Sequence, residues 1–184
     1  MTVFRRRVPP RRRSEITDLA DLYRSFVPAI AGDSPDAFPV VEFIEFVVPR
    51  VYDEFVLELV DDHEMPGMEG ATWPDQKHMK LPRTVYDRAA AGEGRARFTM
   101  AHELGHLFLH AGIPFARSAP TGSTIPAYEC SEWQANEFAA AILMPADLVQ
   151  QCGSVRDMME RFGVSKAAAE NRLKVLKMNK PRGW

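Results

Sequence analysis

The stretch RARFTMAHELGHLFLH, residues 95–110, sets His102 and His106 four positions apart with Glu103 directly after the first histidine. On an α-helix that step brings both imidazoles to one face, about 6 Å apart along the axis, close enough to share a metal ion. The flanks support a helix. Phe98, Ala101, Leu104, Gly105, Phe108 and Leu109 recur at helical spacing, so one side of the segment is expected deep in a core. His110-Ala111-Gly112-Ile113-Pro114 then reads as a stop. Gly105 leaves room for another backbone or a substrate to come close. An H-E-x-x-H helix makes His102 and His106 candidate ligands and Glu103 a candidate general base.

His110 repeats the four-residue step, but it stands about 12 Å from His102 along the axis, too far for all three rings to close on one ion. It is expected at the helix end, complementing the dipole or hydrogen-bonding a ligand. The pattern that continues with a glycine three residues and a histidine six residues past the second histidine is absent, since those positions hold Leu109 and Gly112. A third ligand must come from elsewhere. The segment ECSEWQANEFAAAILMP, residues 129–145, reads as a second helix, with Glu132 and Asn136 one turn apart. Glu132 is the expected ligand, with Asn136 in support. Glu129 and Glu137 compete; Glu129 lies at the fraying start, and Glu137 is rotated about 100° from Asn136, toward the expected outer face. Two imidazoles and a carboxylate leave a fourth position for water and suit Zn2+, with Mn2+ or Fe2+ as alternatives. An oxyanion donor is not identified by spacing; His110 and Tyr128 are weak candidates.

The rest of the chain limits what such a site can serve. Its 184 residues are 46% hydrophobic and 26% charged, which fits one globular domain. The longest apolar run, VVEFIEFVVP, is broken by glutamates and proline, and no apolar segment follows the N-terminal charges, so a cytoplasmic location is the expectation. Cys130 and Cys152 form no C-x-x-C pair, which fits a reduced compartment. Of the net charge of −2, six arginines between residues 5 and 13 contribute +6, so residues 14–184 carry −8. FRRRVPPRRR, with Pro9-Pro10 at its centre, is expected to be a basic flexible arm over residues 1–13, or an electrostatic tether for a polyanion. Residues 14–184 then form the single domain.

Between arm and motif, a helix is expected from a Ser14 cap to Pro28 and another from Pro39 to Pro49, with a strand as the rival for the second because of its β-branched content. FVLELVD reads as a strand, MPGMEG as a turn, ATWPDQKHMKLP as one or two short strands and RTVYDRAAAG as a helix. His63 and His78 lack partners at ligand spacing and read as surface residues. Residues 154–177 form an apolar helical stripe, a break at Gly163 and a second helix, much like a helix-turn-helix. That leaves open a DNA- or repressor-binding regulatory module with a structural metal. Against it, Lys166, Glu170, Asn171, Arg172 and Lys174 are only modestly basic, so direct nucleic-acid binding is not expected.

Taken together, RFTMAHELGHLFLH and EWQANEFAAAILMP resemble the ImmA/IrrE family of metallo-endopeptidases over residues of about 40–177. The resemblance implies a zincin-like α+β domain, a small sheet packed on the H-E-x-x-H helix with a C-terminal helical section. It implies His102, His106 and Glu132 as ligands of one Zn2+, Glu103 as catalytic base and Asn136 as support. It also implies a protein substrate, a helix-turn-helix repressor, whose cleavage switches on genes of stress response or mobile-element transfer. No membrane partner is implied, and the arginine-rich arm matches nothing in the family pattern.

Overall fold

The computed structural model describes residues 6–27, 36–113 and 125–178. The expected helix stop at Pro28 and residues 121–124 of the loop between the two motif helices lie outside them. Helix α1 (Arg13–Ser25) starts one residue before the expected cap, and the Glu15 carboxylate, not Ser14, closes its first turn by accepting from the Arg12 amide at 2.7 Å. Its apolar stripe buries Ile16 and Ala20 completely.

The 39–49 segment is helical. A short α2 (Val40–Glu42) runs through a wide π turn (Phe43–Val47) into α3 (Val48–Val51). Pro49 explains the widening: it has no N–H to donate, and its ring would press on the carbonyl four residues back. The Val48 amide instead reaches back five residues to the Phe43 carbonyl. Val40, Phe43, Ile44 and Val48 are all fully buried, and this burial on one side overrides the strand propensity of the valines.

Three strands follow, β1 (Val56–Val60), β2 (Ala71–Trp73) and β3 (His78–Pro82), in the order β1-β3-β2. β3 runs parallel to β1, with Leu57 opposite Met79, and antiparallel to β2, with Thr72 opposite Met79. Lys77, in the left-handed region at φ 50°, makes the turn from β2 into β3. Met79 and Leu81 are fully buried while His78 and Lys80 are half-buried, the alternation of a sheet with one face on a core. β2 is one of the two edge strands and packs beside the motif helix.

Helices α4 (Arg83–Ala90), α5 (Gly94–Leu109), α6 (Ser131–Leu143), the single turn α7 (Ala146–Val149), α8 (Val155–Phe162) and α9 (Lys166–Met178) complete the architecture. The fold is α+β, a small mixed sheet against a mostly helical body, with α5 between β2, α4 and α6. Gly105 is where α6 comes closest: a Cβ there would lie 2.9 Å from both Cα and the carbonyl oxygen of Ala135. Gly94 plays the same part at the start of α5, where a Cβ would meet the Val164–Ser165 backbone at 2.4 Å. The C-terminal pair joins this same core through Met158, Phe162, Val164 and Ala169. Gly163, at φ 61°, caps α8 and turns the chain into α9. Arg172 is 2% exposed and donates to the Met144 carbonyl at 3.0 Å, so it is removed from any nucleic-acid-facing surface of α9. No helix among the described residues is long and apolar enough to cross a membrane.

The basic segment departs from the expectation of a solvated arm. Residues 6–11 lie antiparallel to residues 128–131: Val8 donates to the Glu129 carbonyl at 2.8 Å, Arg11 to the Tyr128 carbonyl at 3.0 Å, and Ser131 to the Arg6 carbonyl at 3.0 Å. Val8 is buried at 6% exposure. Arg7 pairs with Glu129, and Arg13 makes two hydrogen bonds to Glu137, at 2.7 and 3.0 Å. Composition pointed to solvation because it counted charges without their partners, and the acidic start of α6 supplies those partners.

Candidate active site

α5 presents His102 and His106 toward α6, which returns Glu132 from its first turn. The Nε2 atoms of the two histidines are 3.1 Å apart, and each lies 3.3 Å from a different oxygen of the Glu132 carboxylate. At these separations one ligand atom from each residue can converge on a single ion. Among the described residues this is the one cluster of histidine, cysteine and carboxylate side chains that could hold a metal ion. Each ring has its other nitrogen occupied. His102 Nδ1 lies 3.0 Å from Asn136 Oδ1, and since an amide oxygen only accepts, the hydrogen is on Nδ1 and Nε2 presents its lone pair. His106 Nδ1 lies 3.0 Å from His110 Nδ1.

The electrostatics suit a cation. Burial alone would raise the Glu132 pKa, but the hydrogen bonds and charge of His102 and His106 reverse this and hold it at about 2, so the carboxylate stays ionised. Burial also works against charge on His102, yet Glu132, Glu103 and Asn136 together leave its pKa raised. The pocket thus favours positive charge between the rings, and two imidazoles with one carboxylate form a donor set that fits a divalent ion such as Zn2+.

Glu103 is buried at 6% exposure beside these donors, and both its surroundings come from the β2 region. Thr72 Oγ1 donates to Glu103 Oε2 at 2.6 Å. Gly70 gives the carboxylate its space: a Cβ at that position would stand 2.8 Å from Glu103 Cγ and 2.9 Å from Oε1. Neither residue was singled out by sequence, because neither belongs to a motif; only the sheet brings them within reach of α5.

The donors and Glu103 line a cleft of about 750 Å3, to which Met68, Trp73 and Phe98 contribute apolar lining and which Arg6, Arg7 and Val8 also line. Glu129 and Glu137, the competing candidates, are occupied by Arg7 and Arg13. Glu137 does not face outward as its rotation implied: it is 9% exposed under the N-terminal segment. His110 is buried behind His106, with Nε2 3.3 Å from Gln134 Oε1, and burial pushes its pKa down to about 3. With both ring nitrogens engaged, it has no donor to offer a substrate oxygen. The Tyr128 side chain is half exposed and does not line the cleft; the residue contributes its carbonyl, which accepts from Gln134 Nε2 at 2.8 Å.

An H-E-x-x-H helix flanked by an edge strand of a short mixed sheet, with a further donor from the next long helix, is the layout of a zincin-like metallopeptidase domain. The chain belongs to the peptidase M78 family, whose model, described as the IrrE N-terminal-like domain, matches residues 60–174. It is thereby a metallopeptidase of the IrrE/ImmA type, and a peptidase takes a protein substrate. No curated protein matches the chain. The matched span holds every donor and Glu103, but not the N-terminal segment that borders the cleft.

Proposed function

We propose that this protein is a zinc-dependent endopeptidase that makes limited cuts in a protein partner, a helix-turn-helix repressor, in the cytoplasm, and so derepresses genes of stress response or mobile-element transfer. The observation that carries the enzymatic part is the convergence of His102, His106 and Glu132 beside a buried Glu103 in one cleft. The repressor as substrate rests on the resemblance to the ImmA/IrrE family.

His102, His106 and Glu132 would hold a divalent ion, zinc ahead of Mn2+ or Fe2+, which when bound would supply Lewis acidity toward a water and the scissile carbonyl. Glu103 accepts the water's proton during attack and passes it to the leaving nitrogen. Thr72 occupies Oε2, so Oε1 is the oxygen left for that transfer. Asn136 and His110 hold the two rings with their Nε2 atoms turned inward. Among the described residues β2 is paired on one edge only, so an extended peptide can add to its other edge, with Met68, Trp73 and Phe98 offering apolar contacts.

The decisive variant is Glu103→Gln, which keeps the shape and the three donors but removes the proton acceptor. Mixed with the helix-turn-helix repressor encoded beside its gene, the wild type should give two discrete fragments. The variant should retain one divalent ion per chain by elemental analysis, bind the repressor equally well, and cleave roughly 10²- to 10⁴-fold more slowly. Equal derepression by both proteins without any fragments would replace the peptidase with a sequestering module built on a structural metal.

A further inference from the structure

Gln134 is fully buried on α6, and every polar atom of its amide is committed. Its Nε2 lies 2.9 Å from the Pro9 carbonyl and 2.8 Å from the Tyr128 carbonyl. Carbonyls only accept, so both amide hydrogens point there, and the amide cannot flip without setting oxygen against oxygen twice. Oε1 is therefore turned toward His110 Nε2, 3.3 Å away. An amide oxygen also only accepts, so His110 carries its hydrogen on Nε2. A neutral imidazole has a single N–H, which leaves His110 Nδ1 bare. That bare nitrogen faces His106 Nδ1 at 3.0 Å, where two lone pairs would repel. The hydrogen must be on His106 Nδ1, and His106 Nε2 is left with its lone pair among the metal donors.

We propose that Gln134 and His110 are positioning residues that lock His106 in its Nδ1–H tautomer and thereby set the metal affinity of the centre. The N-terminal segment belongs to the same device, because Pro9 takes one of the two amide hydrogens that orient Gln134. His102 reaches the same end by a shorter route, with the Asn136 amide oxygen directly on its Nδ1. In both lines an amide oxygen dictates which imidazole nitrogen is free; for His106 the instruction passes through a second ring. The inference rests on the reading of His102, His106 and Glu132 as metal donors.

The test uses the full-length protein and two readouts. Long-range 1H–15N correlation spectra of the zinc-loaded wild type, in which an ion separates the His102 and His106 Nε2 lone pairs, should show His106 as Nδ1–H and His110 as Nε2–H; His110 as Nδ1–H with a bare Nε2 would overturn the proposal whatever the affinities. Zinc affinity, measured by competition with a chromophoric chelator, should fall about 10- to 100-fold in Gln134→Leu and in His110→Phe, the usual cost of losing a partner behind a ligand. His110→Gln, which offers an amide oxygen to His106 Nδ1 much as Asn136 does to His102, should recover most of that affinity, an effect that packing alone does not produce. Wild-type zinc affinity in both Gln134→Leu and His110→Phe, with the His106 tautomer unchanged, would remove the positioning role while leaving the metal centre intact. A wild type that takes up no divalent ion would bring down the metal-centre reading itself, and this proposal with it.

Discussion

Glu103 depends on two residues of a different element for its orientation. A buried carboxylate with one oxygen free and one held is a better-aimed base than one free to rotate, and the Thr72 hydroxyl holds Oε2 at 2.6 Å. Hydrogen bonds to charged groups contribute about 1.5–3 kcal/mol, which sets the upper range of what Thr72 can add. Thr72→Val should therefore slow peptide cleavage by roughly 10- to 100-fold, converting that energy at about 1.4 kcal/mol per decade. Thr72→Ser should restore it, and zinc content by elemental analysis should stay at the wild-type level in both. A cleavage rate in Thr72→Val equal to that of the wild type would show that Glu103 is oriented by its helix and by the space Gly70 leaves, without the hydroxyl.

At the scale of elements, the pairing of residues 6–11 with residues 128–131 extends the support of the site beyond the matched family span. This segment ties the entry of α6 to the start of α1, with Arg13 and Glu137 joining the two helices and the Pro9 carbonyl holding Gln134. The exposed Arg7–Glu129 pair adds little by itself, since solvent screens it. The backbone hydrogen bonds and buried Val8 add more. Three backbone hydrogen bonds, the bond from Gln134 to the Pro9 carbonyl and the burial of Val8 together hold the segment on α6. Deleting residues 1–12 should accordingly lower the thermal midpoint by several degrees in calorimetry and weaken zinc binding at the same time. A truncated protein with unchanged midpoint and unchanged zinc affinity would return the segment to the status of a solvated arm.

For the whole molecule, the centre sits where α5, α6 and β2 meet, and the metal donors come from two helices separated by a segment of more than twenty residues. An ion held by both helices binds the folded chain and not the unfolded one, so it shifts the folding equilibrium by mass action. At a free zinc concentration 100-fold above the dissociation constant the gain is about 2.7 kcal/mol. For a domain of this size that corresponds to a rise of about 5–11 °C in the thermal midpoint. Scanning calorimetry with and without zinc should show the rise in wild type and Glu103→Gln, and its loss in His102→Ala, His106→Ala and Glu132→Ala. A midpoint indifferent to zinc in the wild type would mean that the three donors do not form a site in solution.

His102, Glu103 and His106 could be singled out in the sequence because helical periodicity is local: a spacing of four residues on one amphipathic run determines which side chains share a face before any neighbour is placed, whereas Glu132, on another helix, was preferred to Glu129 and Glu137 only through its place one turn before Asn136 and the family resemblance. Residue patterning also anticipated the main helices, a strand at FVLELVD with one or two more in ATWPDQKHMKLP, and the α+β class. It misjudged Glu137, since rotation about a helix axis says which way a side chain points but not what lies over it, and here the N-terminal segment covers it. It also misjudged residues 6–13, whose charges look solvated until the carboxylates and carbonyls at the start of α6 are placed beside them. Thr72, Gly70 and Gln134 had no signal at all, because each acts on a residue of another element or across a bend in the chain. What the sequence by itself determined is which atoms can bind and react; only the tertiary structure decided which way those atoms are turned, because hydrogen-bond partners far apart along the chain orient the Glu103 carboxylate and the His106 ring.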